Sequence, residues 1–338
     1  MSSLNYTLPV IWALIIGLAV AMYVVLDGFD LGIGILFPFF RKEAERDLMM
    51  TSIAPFWDGN ETWLVLGGVG LLVAFPTAYA VIMPALYLPV IVMLLSLIFR
   101  GVSFEFRSHA KPHHGKWDIA FAAGSTLAAF CQGLVLGGLL QEIHVENGQF
   151  AGGVLDWLTP FSLMCGLALV VGYALLGATW LIMKTEGPVA QRARKIGVTL
   201  LLVLLGFILL VSIWTPLRIP RIAERWLSFP NFYLLSPVPL ATLLLAWSCW
   251  RGIRHGKIIQ PFASAVGLFL LAYAGLVISN VPYLVPPTIT IWQAAADPSS
   301  QVFMLIGTVF LLPLVLGYTI MVFWLFRGRV RPGEEYHH

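Results

Sequence analysis

The stretch LDGFDLG, residues 26–32, places two carboxylates and two glycines inside an apolar run that extends well beyond it on both sides. The whole run is longer than the roughly 20 residues that a helix needs to cross a bilayer. Asp27 and Asp30 are three residues apart and therefore share one face of that helix. Gly28 and Gly32 are four residues apart, which lets a second helix approach closely. The stretch predicts a membrane helix with an acidic face and a tight helix contact.

Long apolar runs continue along the rest of the chain. Of its 338 residues, 59% are hydrophobic and 11% are charged, whereas soluble domains carry about 25% charged residues. We therefore expect an all-α membrane protein that forms one integral membrane domain over residues 1–338. Nine transmembrane helices are predicted, at about 8–37, 50–75, 77–99, 118–140, 157–183, 196–215, 232–250, 259–281 and 302–326.

The basic residues predict the orientation of these helices. Lys and Arg concentrate in the cytoplasmic loops of membrane proteins, and nine helices place seventeen of the 20 basic residues on one side. This division predicts an N-terminus outside and a C-terminus in the cytoplasm. A net charge of +3 without a basic stripe argues against a nucleic-acid partner. The residues assigned to the cytoplasmic loops include Arg100, Arg107, Lys111, Lys184 and Arg194.

A second acidic motif, PFWDGNETW at residues 55–63, begins the next predicted helix. At 1.5 Å per residue, Asp58 would lie roughly 18 Å from the cytoplasmic edge, and Asp30 roughly 16 Å. The similar depth predicts that Asp27, Asp30 and Asp58 form one buried cluster on two neighbouring helices. Such a cluster would hold at least one proton near neutral pH, because like charges in a low dielectric resist joint ionisation.

We interpret these carboxylates as parts of a proton pathway, because ionisable residues inside membrane helices commonly mark ion or proton routes. A structural alternative remains open, in which Asp58 caps a helix that begins near Gly59 and the other two bond to neighbouring backbone. Glu105, at the cytoplasmic end of the third predicted helix, could stand at the mouth of the path or simply be solvated.

Aromatic residues flank the second motif, and the histidines lie elsewhere. Trp57, Asn60 and Trp63 could line a site for an isoprenoid quinone, although most membrane tryptophans are packing or interface anchors. A haem buried in a membrane usually needs His, Met or Cys as axial ligands; the Met and Cys residues remain possible here, but no histidine falls inside a predicted helix, which makes the chain a poor haem carrier. We therefore predict no haem and no metal site in this chain. The seven histidines are His109, His113, His114, His144, His255, His337 and His338.

Three runs together carry a family resemblance. LDGFDLGIG, SIAPFWDGNETWL and FRGVSFEFR, in this order and spacing, resemble subunit II of the cytochrome bd quinol oxidases. The segment TITIWQAAADPSSQ is similar to the outer loop that precedes the last helix in that family, and the short connection between helices 6 and 7 resembles the cyanide-insensitive branch. The resemblance implies two four-helix bundles plus a peripheral helix, in the inner membrane of a bacterium.

The resemblance also implies a partner, subunit I, which would carry haems b558, b595 and d and reduce oxygen to water with electrons from quinol. This chain would stabilise that partner and supply cytoplasmic protons through Asp27 or Asp30 and through Asp58, with Glu105 where the family often has aspartate. Some members hold a structural quinone, such as ubiquinone, at the positions of Trp57, Asn60 and Trp63. Some complexes include a small single-helix accessory subunit.

A proton-coupled transporter is the competing interpretation, because buried carboxylates and glycine-rich helices fit that class too. Transporters commonly show inverted repeats and paired broken helices, and neither is visible in this sequence. An oxidase subunit should purify with a haem-bearing partner that absorbs visible light, whereas a transporter should purify alone and colourless.

Overall fold

The computed structural model describes residues 3–110 and 114–331, which are mostly α-helical. Two short antiparallel hairpins pair β1 (Val145–Glu146) with β2 (Gln149–Phe150) and β3 (Tyr283–Val285) with β4 (Ile289–Thr290). Lys111, His113, His337 and His338 lie outside the described residues. The helices are α1 (Ser3–Leu36), α2 (Glu43–Thr51), α3 (Trp57–Ala74), α4 (Pro76–His109), α5 (His114–Leu140), α6 (Pro160–Lys184), α7 (Gly187–Arg218), α8 (Pro220–Leu227), α9 (Asn231–Leu235), α10 (Pro237–Arg254), α11 (Gln260–Asn280), α12 (Ile291–Ala294) and α13 (Pro298–Leu325).

Eight helical segments in the described part of the chain are long and apolar enough to cross a membrane: α1, α4, α5, α6, α7, α10 with the preceding α9, α11 and α13. Helix α3 is apolar only in its second half, because Asp58, Asn60 and Glu61 occupy its first turns. The prediction of one continuous helix at about 50–75 is wrong for the first part of that range. The chain there ends α2 at Thr51 and turns before α3 begins, because Pro55 has no N–H and disfavours a helical residue before it.

Three basic residues that the sequence assigned to loops are buried in helices instead. Helix α4 continues about three turns beyond its predicted end and contains Arg100 and Arg107, which are 1% and 4% exposed. Lys184, at the end of α6, is 4% exposed and donates hydrogen bonds to the carbonyl oxygens of Phe326 and Gly328. The free-energy cost of burying these cations is offset because each one donates hydrogen bonds to nearby acceptors. His114 likewise begins α5 and is buried.

Helices α1 and α6 cross in backbone contact, as the two glycines of the first motif predict. A methyl group on Gly32 would lie 2.0 Å from the carbonyl oxygen of Tyr173, and one on Gly28 would lie 2.8 Å from the ring of Tyr173. On the opposite helix, a methyl group on Gly177 would lie 2.5 Å from the carbonyl carbon of Gly32. The prediction of a close helix contact here is confirmed. The contact fixes the rotation of α1 and thereby the direction of its acidic face.

The last helix lies at the periphery of the fold. Its large apolar side chains, such as Phe303, Phe310 and Leu314, are exposed, as expected for a surface that meets lipid. Helix α13 is held near its N-terminal end by Gln301, whose side-chain amide donates to the carbonyl oxygens of Ala74 and Ala296. The largest buried apolar cluster draws most of its residues from α1, α4, α5 and α6, with others from α2, α7, α10 and α11.

Candidate functional site

A buried guanidinium forms the centre of the candidate site. Arg100 Nη1 donates to Asp27 Oδ1 at 2.8 Å and to Glu61 Oε1 at 2.6 Å. Its Nη2 lies 3.9 Å from Asp30 Oδ2. The side chains of Asp27 and Asp30 are completely buried, whereas that of Glu61 is 29% exposed. Helices α1, α3 and α4 therefore meet at one arginine, and the group opens towards the surface at Glu61.

Close packing around α4 holds the arginine in this position. A methyl group on Gly124 of α5 would lie 2.8 Å from the carbonyl oxygen of Ser96 and 3.1 Å from the amide nitrogen of Arg100, so α5 closes one side of α4. On another side, the guanidinium carbon lies 5.8 Å from the centre of the Trp57 ring, where the aromatic face attracts a cation. The arginine is thus directed towards the acidic face of α1.

The carboxyl groups outnumber the cation that they surround. Asn60 donates to Asp30 Oδ2 at 2.7 Å, yet Asp30 Oδ1 and Asp27 Oδ2 are buried without a hydrogen-bond partner among the described residues. One guanidinium faces the carboxyl groups of Asp27, Asp30 and Glu61. Full ionisation would leave uncompensated negative charge in a low-dielectric site, which is strongly unfavourable. The arrangement is therefore suited to holding protons.

A chain of buried polar side chains continues from the cluster into the helices behind it. The hydroxyl group of Tyr23 faces Asp27 and accepts a hydrogen bond from Gln132 Nε2 at 2.7 Å. The Tyr173 hydroxyl donates to Gln132 Oε1 at 2.8 Å. This chain joins α6 and α5 to the acidic face of α1. Sequence reasoning missed it, although a glutamine in the middle of an apolar helix was an available signal.

The predicted cluster of Asp27, Asp30 and Asp58 is wrong in one member. Asp58 is exposed on α3, and Glu61 occupies the position expected for it. Asn60, Trp63 and the glycines that follow form the buried side of α3. Asp58 lies two positions before Asn60, which is about 200° around the helix, so its side chain is on the opposite side. Asp58 remains close enough to Glu61 for their charges to interact.

The residues expected to bind a quinone are split between the interior and the surface. Asn60 is 2% exposed and already bonded to Asp30. Trp63 is 1% exposed and packs with Ala19 and Tyr23. Trp57 is only partly buried, with its ring 5.1 Å from that of Phe104. Glu105, the expected mouth of the proton path, is exposed on α4.

A second ionic network lies about two turns along α4. Arg107 donates through Nε to Asp118 Oδ1 and through Nη1 to Asp47 Oδ1, each at 2.6 Å. Arg46 reaches the other oxygen of Asp118 at 2.6 Å and donates through Nε to the carbonyl oxygen of Phe40 at 2.7 Å. This network ties α2, α4 and α5 together. No sequence motif pointed to it, because its members come from three separate segments.

Substitution of Asp118 by asparagine is expected to lower the free energy of unfolding by about 3 kcal/mol, because two arginines would lose their shared carboxylate in a largely buried site. The measurement is unfolding of the purified protein in mixed micelles of increasing SDS content. The matched control is Glu224→Gln, which removes an exposed carboxylate on α8 and should change stability little. Equal stability of the two variants would contradict a structural role for the network.

Metal-ligating residues are scattered in the part of the chain that the structure describes. No group of three or more His, Cys, Asp or Glu side chains there could hold a metal ion. His114 lies at the beginning of a helix, and His144 and His255 are exposed. The buried free cysteines Cys131, Cys165 and Cys249 lie on different helices.

Comparisons with known proteins agree on one family. The family model for cytochrome bd terminal oxidase subunit II matches residues 8–326. The chain is 30% identical to cytochrome bd-I ubiquinol oxidase subunit 2 of Escherichia coli K12, over 95% of this chain and 94% of that protein. It is 26% identical to cytochrome bd ubiquinol oxidase subunit 2 of Bacillus subtilis, over 96% and 97% of the two chains. A chain in the structure of bd oxidase from Geobacillus thermodenitrificans shares the fold, with a TM-score of 0.80, 18% identity and coverage of 95% and 98%.

Proposed function

This chain belongs to the cytochrome bd terminal oxidase subunit II family, and we propose that it is the haem-free subunit that supplies protons in a quinol:oxygen oxidoreductase. Its relatives are subunits of an oxidoreductase complex, and the chain itself is a multi-pass protein of the bacterial inner membrane. One observation carries the proposal: the buried Arg100 cluster opens to the surface of α3 at Glu61, beside Asp58.

We count α3 as a ninth membrane helix in this proposal. Its second half is apolar, and Phe75 and Pro76 separate it from α4. Nine crossings keep most basic residues on the cytoplasmic side, with the N-terminus outside and the C-terminus inside. Two four-helix bundles with α13 as the peripheral helix would then make up the single membrane domain.

The face formed by α3 and α4 is the surface that subunit I would cover. Asp58 and Glu61 are exposed or partly exposed in the first turns of α3, and charged side chains that face lipid within a membrane are costly. The same two helices also expose Gly68, a position without a side chain, and apolar residues such as Val69 and Ile98. A covering protein would remove these carboxylates from lipid and bring them next to its own proton acceptors.

The haems would then belong to that partner, where they supply the oxygen-reducing chemistry when bound. This chain's described histidines lie at a helix end or in exposed positions, which supports a haem-free role for the subunit. The chain would brace the partner through the covered face and leave electron transfer to it.

The proton route runs along the same face. Glu105, exposed on α4, would take up protons from the cytoplasm and pass them to Asp58 and Glu61. Asp27 and Asp30 would hold protons on the carboxyl oxygens that have no partner among the described residues. Arg100 would balance the negative charge of the carboxyl groups that are ionised. A proton that leaves towards the partner would then be replaced from the cytoplasm, and no buried carboxylate would lack a counter-charge.

A bound quinone is a second part of the proposal, and Trp63 favours it. The indole N–H of Trp63 is buried without an acceptor among the described residues, and a quinone carbonyl could accept a hydrogen bond from it. Trp57 would provide an aromatic wall, and Asn60 would position the neighbouring Asp30.

The test uses the oxidase purified with subunit I and follows quinol-driven oxygen uptake. Asp58→Asn and Glu61→Gln are each expected to lower the rate by about a hundredfold, the lower end of what a positioned acid or base contributes. The visible haem absorbance of the purified complex should stay unchanged. The control is Glu146→Gln, an exposed carboxylate in the β1–β2 hairpin.

Unchanged uptake in both variants would contradict proton supply by this chain. A fall in haem absorbance together with uptake would instead indicate that these carboxylates serve docking. Purification of the chain alone, colourless and active in proton-coupled transport, would favour the competing transporter function.

A further inference from the structure

We propose that a cavity at the cytoplasmic end of α13 binds the phosphate headgroup of an anionic phospholipid. The cavity has a volume of about 270 Å³ and lies where the turn after α2, the end of α6 and the segment after α13 come together. Its lining combines Lys184 and Arg329 with the apolar side chains of Pro55, Phe56 and Phe326. This pairing of cations with apolar walls is the chemistry that recognises an amphiphile with a negative head.

The positive charge in the cavity exceeds the negative charge. The Lys184 ammonium donates to the carbonyl oxygens of Phe326 and Gly328 and lies 5.3 Å from the centre of the Phe56 ring. An ammonium has three donors, so the third is shared between this aromatic wall and a ligand. Arg329 pairs with Glu186 and its side chain is 33% exposed. Two cations against one carboxylate leave a net positive site, and a lipid phosphate would neutralise it.

A narrow crevice leads from this cavity along the membrane-facing side of the fold. It shares Pro55 and Phe56 with the cavity and continues between α3 and α13. Its walls include Gly59, Tyr318 and Val322. With a volume of about 10 Å³ the crevice is too small to enclose an acyl chain, so a headgroup held at Lys184 would lay one acyl chain along its apolar rim. A free phosphate ion would use the cavity but not the crevice, so the combination favours a lipid.

The position along the helices also suits a headgroup. Helices α6 and α13 end at Lys184 and Leu325, on the side that holds most of the basic residues. Basic residues at this depth attract anionic lipids of the cytoplasmic leaflet. The crevice reaches Asn60 beside the Arg100 cluster, but the charged cavity at Lys184 and Arg329 includes no residue of that cluster, so failure of headgroup binding there would leave the proposed proton supply untouched.

The test measures phospholipid retention by the purified, delipidated complex in native mass spectrometry, with phosphatidylglycerol and phosphatidylcholine added separately. We expect tight retention of one phosphatidylglycerol by the unaltered chain and about fivefold weaker retention in Arg329→Gln, the effect of one basic residue near a membrane surface. The matched control is Arg327→Gln, because Arg327 stacks on Trp324 and lies outside the cavity lining.

A second pair of variants tests the crevice without altering charge. Thr319→Phe would fill it, since Thr319 lines the crevice, and should also weaken phosphatidylglycerol retention. Thr308→Phe places the same side chain on α13 at a position away from the crevice and should retain the lipid. Equal retention of phosphatidylglycerol and phosphatidylcholine would overturn the proposal, and so would an equal loss of phosphatidylglycerol in Arg327→Gln and Arg329→Gln. It would also be overturned if the molecule that Thr319→Phe fails to retain were a neutral quinone.

Discussion

Replacement of Arg100 by glutamine is expected to lower the free energy of unfolding by about 3–5 kcal/mol, because it leaves buried carboxylates without their counter-charge. Asp27 and Asp30 are completely buried, and both Asp27 and Glu61 accept from Arg100 Nη1. The measurement is SDS unfolding of the chain in mixed micelles, together with haem absorbance of the assembled complex. Quinol-driven oxygen uptake should fall at least as far as in the single carboxylate variants.

A double substitution distinguishes charge from packing. If the loss comes from uncompensated charge, Asp27→Asn should recover part of the stability of Arg100→Gln, because fewer buried carboxyl groups then need balancing. Arg100→Lys should be intermediate, since a lysine keeps the charge but lacks the planar fork that reaches several carboxylates. The control is Arg41→Gln, which removes an exposed arginine. A stability loss equal to that control would show that the buried cluster does not depend on its arginine.

Gly32→Ala is expected to destabilise the chain by about 3 kcal/mol or more, at or above the upper end of the usual cost of overpacking. The added methyl group would lie 2.0 Å from the carbonyl oxygen of Tyr173, and a backbone atom cannot move aside as a flexible side chain can. Helices α1 and α6 would have to separate, and the acidic face of α1 would move relative to Arg100. The measurement is again SDS unfolding, with oxygen uptake of the assembled complex as a second readout.

The matched control is Gly206→Ala on α7, where a methyl group would meet no atom within 4 Å. That change should be neutral or stabilise by about 0.5–1 kcal/mol, because alanine restricts the unfolded chain more than glycine does. If Gly32→Ala behaved like Gly206→Ala, the close approach of α1 and α6 would not contribute to stability.

The sequence alone determined the class of the protein, the acidic face of α1 and the close helix contact at Gly32. These follow from local rules. High hydropathy over a long run indicates a segment surrounded by lipid, a spacing of three residues indicates a shared helix face, and two glycines four residues apart indicate a close helix contact. The three motifs also sufficed to identify the family, since their order along the chain is a property of sequence alone.

Only the tertiary structure decided which groups complete the site. Arg100 ends an apolar run, so the sequence placed it at the membrane edge, but acceptors on α1 and α3 keep it buried in a longer helix. Asp58 and Glu61 are equally acidic in sequence, and the rotation of α3 set by Asn60 and Trp63 directs Glu61 to the cluster and Asp58 to the surface. The physical reason is that burying a charge depends on partners from other helices, and such partners become neighbours only when the helices pack.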